Sequence, residues 1–148
     1  MLARISLVLL LVGAVACSSD DGETTGPVET SIAGVYSLVS VDGAPMPYLI
    51  FEDVNEKSEC TGGSLTLTNG AGINRGTFVT RVQLRFEEKA TGTVHNNERT
   101  IDGTWERDGS SLTLDDDGDN QPEATATVAG NRLTLNGVDG GPTEVWEK

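Results

Sequence analysis

Basic residues are scarce in this chain: 10 Lys and Arg stand against 23 Asp and Glu, for a formal net charge of −13 over 148 residues. A surface this acidic is repelled by phosphate backbones and gains nothing from anionic headgroups, which excludes nucleic-acid binding as a main role. Cysteine is rarer still, with two residues, too few for a disulfide framework of the kind that staples small secreted domains. A single histidine, His95, and so few thiols cannot assemble a structural zinc site, and the pattern of a catalytic one is missing. No serine sits in a G-x-S-x-G elbow, and no glycine-rich phosphate loop occurs. Acids are so numerous that any two could be paired on paper, which gives no argument for acid–base catalysis. The expectation is a protein that is not an enzyme and holds no cofactor and no metal.

Long apolar runs are missing as well. The longest, residues 5–16, falls short of the ~20 residues a helix needs to cross a bilayer. Its setting is informative: Arg4 precedes it, small residues end it at Cys17, and the polar stretch "SSDDGETTGPVETS" comes next. This is the layout of a secretory signal over residues 1–16. The residues "AVAC" at 14–17 resemble the lipobox of bacterial lipoproteins. The resemblance implies cleavage before Cys17, a diacylglyceryl group on its sulfur and an acylated amino group. It makes the membrane a partner through a lipid anchor, since each buried CH₂ adds about 0.8 kcal/mol. Ser18 resembles the outer-membrane sorting signal, which implies the periplasmic face of that membrane in a two-membrane cell. Losing residues 1–16 removes one Arg and no acid, so the charge of −13 becomes −14. Residues 17–31 then form an acidic tether too poor in apolar side chains to order itself, able to reach roughly 45 Å at full stretch.

Beyond the tether the apolar pattern has a period of two, and no long helix is foreseen. Strands are expected at 34–41, 48–53, 64–68, 77–87, 98–107, 110–115, 123–129, 132–136 and 143–147, separated by turn signals such as "DGAP", "NGAG" and "VAGNR". With Asp108-Gly109 as a two-residue turn, Arg107 pairs with Ser110, Glu106 with Ser111 and Trp105 with Leu112. With Gly130-Asn131 as the next, Val128 pairs with Leu133, Thr127 with Thr134 and Ala126 with Leu135. Both registers set apolar against apolar, and a one-residue slip would undo this. The phrase "LTL" occurs three times after a turn, at spacings too unequal for a solenoid.

Parity sorts the inward positions. Phe78, Val82, Leu84 and Phe86 share one face of a strand, with Arg81, Gln83 and Arg85 on the other, outer one. Tyr36, Leu38, Ile101 and Trp105 join the inward set, as do the pairs Leu65/Leu67, Leu112/Leu114 and Leu133/Leu135. Ala124, Ala126 and Val128 add small side chains opposite large ones. An interior of this mixture is either tightly packed or partly hollow.

The opening "IAGVYSLVSV", with Gly34-x-Tyr36, resembles the Gly-x-Trp start of lipocalin-like domains, and "GTW" at 103–105 repeats the phrase. The resemblance covers residues 32–148. It implies an all-β, antiparallel up-and-down meander closing into a barrel of eight or nine strands, with Tyr36 plugging the closed end. It also implies a small apolar or amphipathic ligand at the mouth, lined by Tyr36, Leu84, Phe86, Trp105 and the Leu pairs. The other reading is an envelope structural or interaction subunit whose barrel is filled.

Three polar features complete the sequence. Asp115, Asp117 and Asp119 occupy the first, third and fifth places of an EF-hand-like loop. Asn120 replaces the turn glycine, and Ala126 stands where the closing Glu belongs, so "DDDGDN" reads as a solvated hairpin tip between Leu114 and Ala124. Cys60, in "KSECTGG", reads as a tolerated lone thiol in a polar loop. His95, in "TVHNNER", also reads as a loop residue.

Overall fold

The computed structural model describes residues 30–119, 121–137 and 141–148; the expected signal segment, Cys17 and the tether up to residue 29 lie outside them. Among the described residues every regular element is a strand: β1 (Gly34–Val41), β2 (Ala44–Pro45), β3 (Tyr48–Glu52), β4 (Glu56–Gly70), β5 (Gly72–Glu88), β6 (Thr93–Asp108), β7 (Ser111–Asp115), β8 (Ala124–Ala129), β9 (Arg132–Gly137) and β10 (Thr143–Glu147). From β4 to β10 each strand pairs antiparallel with the next, and β1 pairs with both β10 and β4. The meander thereby closes into an eight-stranded barrel, with β2 and β3 outside the ring. Closure leaves no free edge around the ring, the hazard of any open sheet.

The two ends of the barrel differ because β4 changes partner along its length. Its residues 64–67 pair with β1, whereas residues 57–60 pair with β3. Between the two segments the β4–β5 register slips at Cys60/Gly62, a bulge that bends the strand outward. At the β1–β4 end the ring is sealed. At the other end β1 turns away through Asp42-Gly43, where both residues have positive φ (50° and 77°). That combination is the type I′ hairpin turn, for which Asp-Gly is suited. Here β3, β4, β5 and β6 run on past the last pairings of β7–β10 as an extension of the barrel wall.

The sealed half holds most of the core. Tyr36, Leu65, Leu112, Leu133 and Trp146 are completely buried, and Leu38, Leu67, Trp105 and Ala126 nearly so; Phe78, Leu114 and Leu135, also buried, mark its boundary with the open half. Each fully buried Leu contributes about 1.5–3 kcal/mol. Both tryptophans lie against a glycine of another strand: a Cβ on Gly63 would stand 3.1 Å from the Trp146 ring, and one on Gly76 2.9 Å from Trp105 Nε1. The Trp105 indole N–H donates to the carbonyls of Thr68 (3.2 Å) and Thr77 (3.1 Å). Tyr36 donates its hydroxyl to the Ile32 carbonyl at 2.6 Å, and the Lys148 ammonium sits 5.1 Å from the centre of its ring. The chain also enters at this end, where Arg107 Nη1 donates to the Thr30 carbonyl at 2.8 Å.

Several local expectations need correction. "KSECTGG" is strand, not loop, because Ser58 and Cys60 are small enough to turn inward from β4. "TVHNNER" is likewise strand, held by pairing with β5 from Thr93 to Asn97. The β6–β7 register is Arg107 with Leu112 and Trp105 with Leu114, two residues beyond the one expected. The turn is Gly109-Ser110, with positive φ on Gly109 alone, as in a type II′ turn that spares Asp108 a strained backbone. A shift of two preserves every facing, so the core assignment survives it. The β8–β9 register matches the expected one. Phe86, assigned inward with Leu84, lies opposite Ser58 and His95 on the extension, beyond the closed ring, and is 37% exposed. Val82, Leu84 and Val128 are half-buried against the core. Arg81 and Arg85 point outward, to Glu98 (3.1 Å) and to Glu59 and Glu87 (3.0 and 2.8 Å).

Candidate functional site

The open half of the barrel is hollow. An inner cavity of about 210 Å³ is bounded by Phe78, Thr80, Val82, Ile101, Leu114, Ala124 and Leu135, with Asp116, Glu123 and Glu144 among them. A second, of about 470 Å³, opens at the mouth between Val41, Tyr48, Ile50, Cys60, Val82 and Leu84, with Asp42 and again Glu144 in its wall. The two share Val82, Pro142 and Glu144. The larger falls within the range of about 300–1,000 Å³ common to small-molecule sites. The hollow arises because the bulky aromatics Tyr36, Trp105 and Trp146 fill the other half, while small residues such as Thr80, Ala124 and Gly137 line this one.

Glu144 is the chemically distinctive residue here. On β10 it lies opposite Leu135 and shares the inward face with Trp146. Its Oε2 accepts from Trp146 Nε1 at 3.0 Å. Burial pushes its carboxyl above the usual carboxylate range, and the indole N–H acts against that shift. Asp42 is tied beside it: Asp42 Oδ1 accepts from the Thr143 N–H (2.8 Å), and Oδ2 from the Tyr48 hydroxyl (3.2 Å). These bonds lock the β1–β2 turn to β10 and set the lip of the mouth. Cys60 is buried and, among the described residues, in no disulfide. Burial holds its thiol up; the contact with the Gly62 backbone acts against this, and the Glu144 charge adds a smaller push upward. A thiol so disposed packs as a small apolar group and is a poor nucleophile.

The expected site residues separate into two groups. Val82, Leu84, Leu114 and Leu135 border the hollow, and Phe86 stands on the wall beyond it. Tyr36, Leu38, Leu65, Leu67, Trp105, Leu112, Ala126 and Leu133 belong to the packed half, with Val128 against them. Sequence reasoning left out Glu144, Asp42, Tyr48 and Ile50. The period-two step from Trp146 back to Glu144 was the signal available for the first of these.

The acidic loop forms the hairpin tip expected of it, with Leu114 paired to Ala124 across the loop. The side chains of Asp115, Asp117, Asp119 and Glu123 bring carboxylate oxygens within 4.8 Å of one another, which adds Glu123 to the three aspartates read from the sequence. Backbone donors already engage them: Gly118 N–H to Asp115 (2.6 Å), Asp119 N–H to Asp117 (3.0 Å), Gln121 N–H to Asp119 (2.7 Å) and Asp116 N–H to Glu123 (2.8 Å). Such Asx-type bonds are the ordinary chemistry of a wet turn.

No protein-family model, curated protein or solved structure matches this chain.

Proposed function

We propose that this protein is a lipid-anchored envelope lipoprotein whose lipocalin-like barrel binds a small apolar or amphipathic molecule at its open end. The observation that carries this reading is the division of the interior into a packed half and a hollow half with a mouth. A barrel serving only as a filled structural plug has no use for a cavity bordered by Val82, Leu84, Ile101 and Leu135. Desolvation of an apolar surface in that hollow would supply the affinity, with no covalent chemistry required.

The anchor fits the geometry of the chain's path. Because residues 30–32 lie at the sealed end, a tether from Cys17 would join the barrel there and leave the mouth unobstructed by the anchor. A ligand would then be taken up from solution or from a facing partner. The exposed acids Asp42 at the mouth and Asp116 and Glu123 beside the inner cavity keep this end wet and repel anionic lipid headgroups.

Native mass spectrometry of the protein released from its own host's membranes tests the binding reading. A reproducible added mass across preparations is the expected result, and a bare chain every time speaks against it. Cys17→Ser tests the anchor: the variant is expected in the soluble fraction, and retention in the membrane would refute lipidation.

A further inference from the structure

The walls of the hollow carry one sign of charge. The ionisable carboxyls in them are Glu144, shared by both cavities, Asp116 and Glu123 in the inner one, and Asp42 at the mouth. Tyr48 and the buried Cys60 are the other titratable side chains of the lining, and among the described residues no Lys or Arg lines either cavity. Arg99 shares the inward parity of its register partner Val82, but its side chain is exposed and borders neither cavity. Among these acids Glu144 alone is half-buried, the other three being exposed, and it borders both cavities. One of its oxygens is held by the Trp146 indole, which fixes the carboxyl's orientation and leaves Oε1 for another donor. Burying a carboxylate is costly unless a counter-charge or donors meet it. An apolar ligand of no charge would pass this group and leave the cost standing. An anionic ligand, such as a fatty acid, would add repulsion to it.

Resting on the reading of the hollow as a ligand site, we propose that the ligand is a small amphipathic amine, its protonated nitrogen seated on Glu144 and its hydrocarbon against Val82, Leu84 and Ile50. The ammonium donates to Glu144 Oε1, while Asp42 and Glu123 at the rim favour its approach through their field. In low dielectric such a charge-assisted hydrogen bond is stronger than a neutral one, so the head sets selectivity and the tail sets affinity. The acidic mature chain works in the same direction, concentrating cations near the mouth.

The test uses three probes of equal chain length: octylamine, octanol and octanoate. The full-length protein is placed in nanodiscs of zwitterionic lipid, and binding is read by isothermal titration with empty nanodiscs subtracted. Octylamine is expected to bind at least tenfold more tightly than octanol, and octanoate more weakly than either. Glu144→Gln is nearly isosteric and still accepts from Trp146; it should lower octylamine affinity at least tenfold and leave octanol unchanged. Equal binding of octylamine and octanol, or an octylamine affinity indifferent to Glu144→Gln, would overturn the amine assignment while leaving the hollow as an apolar site. Failure of all three probes to bind would overturn both readings. The probe series on the unmutated chain decides the matter even if the variant folds poorly.

Discussion

Three glycines on two neighbouring strands give a graded test of how the barrel is packed. At Gly62 an added Cβ would meet only the flexible end of Gln83, 3.7 Å away. At Gly63 it would lie 2.9 Å from the Arg81 carbonyl and 3.1 Å from the Trp146 ring. At Gly76 it would fall 1.8 Å from the Thr68 carbonyl oxygen and 2.9 Å from Trp105 Nε1, inside both atoms' contact distances. Alanine at Gly62 should therefore be neutral or stabilise by about 0.4–1 kcal/mol, through the lost freedom of the unfolded chain. Alanine at Gly63 should cost about 1–2 kcal/mol, since a backbone carbonyl and a buried indole must both give way. Gly76→Ala should cost about 3 kcal/mol, because overpacking is joined by displacement of the Trp105 N–H from its two carbonyl acceptors. For a domain of this size about 4 °C of melting temperature accompanies each kcal/mol. Gly76→Ala should thus melt ~12 °C lower, Gly63→Ala ~4–8 °C lower, and Gly62→Ala at or above the parent. Urea unfolding followed by tryptophan fluorescence measures the same order as midpoints, with the slope unchanged if only stability has moved. A Gly76→Ala protein melting within about 2 °C of the parent, or the three variants falling equally, would refute the close approach of β4 to β5 at Trp105.

Tyr36→Phe keeps the ring and its cation partner Lys148 but leaves the Ile32 carbonyl without its 2.6 Å donor. A loss of about 1–2 kcal/mol is expected, read as the shift in urea midpoint. For Glu144 the folded-state pKa stands above that of the unfolded chain, so the folded state binds this proton more tightly and stability falls as pH rises through the raised value. Glu144→Gln should accordingly raise the melting temperature near pH 8, and the gain should vanish toward pH 4, where both folded and unfolded carboxyls are protonated. The acids that share its cavities, Asp42, Asp116 and Glu123, remain in both proteins and drop out of the difference. A gain that grows on acidification would contradict the assigned burial.

The stretch from β7 to β9 was legible because each strand there has one more buried and one wetter face. Alternation such as "LTL" in β7 and β9 then carries the facing, and short turns carry the register. The extension obeys no such code. Residues 93–100 of β6 are exposed on both faces, so no period-two contrast exists to mark them as strand, and pairing with β5 alone holds them. Register slips hid the rest. Breaks at Leu38/Ser40 in β1, Leu49/Phe51 in β3 and Cys60/Gly62 in β4 reset the parity of the residues beyond each break. Val41 consequently turns inward, although simple alternation from Leu38 would send it out.

The site was harder to see than the fold, and the "LTL" repeats show why. Leu112 and Leu133 are wholly buried in the packed half, while Leu114 and Leu135, two residues on, border the cavity with 4% and 6% exposure. The letters are the same and so is the parity; what differs is the height along the barrel, and with it what stands across. Three large aromatics from β1, β6 and β10 collect on the sealed side, leaving small residues such as Thr80, Ala124 and Gly137 to line the other. Height is set by how far each strand is staggered against the next, a quantity that composition does not contain. Glu144 owes its place to the same geometry. At the height of the aromatics a carboxylate would have no room and no water, whereas one step along β10 from Trp146 it borders a space that a ligand's cation can enter. A Phe78→Ala or Leu135→Ala change would enlarge that space and a Thr80→Phe or Ala124→Phe change would fill it. If the hollow is the site, the filled variants should lose probe binding while losing no more stability than the roughly 1–3 kcal/mol that overpacking costs.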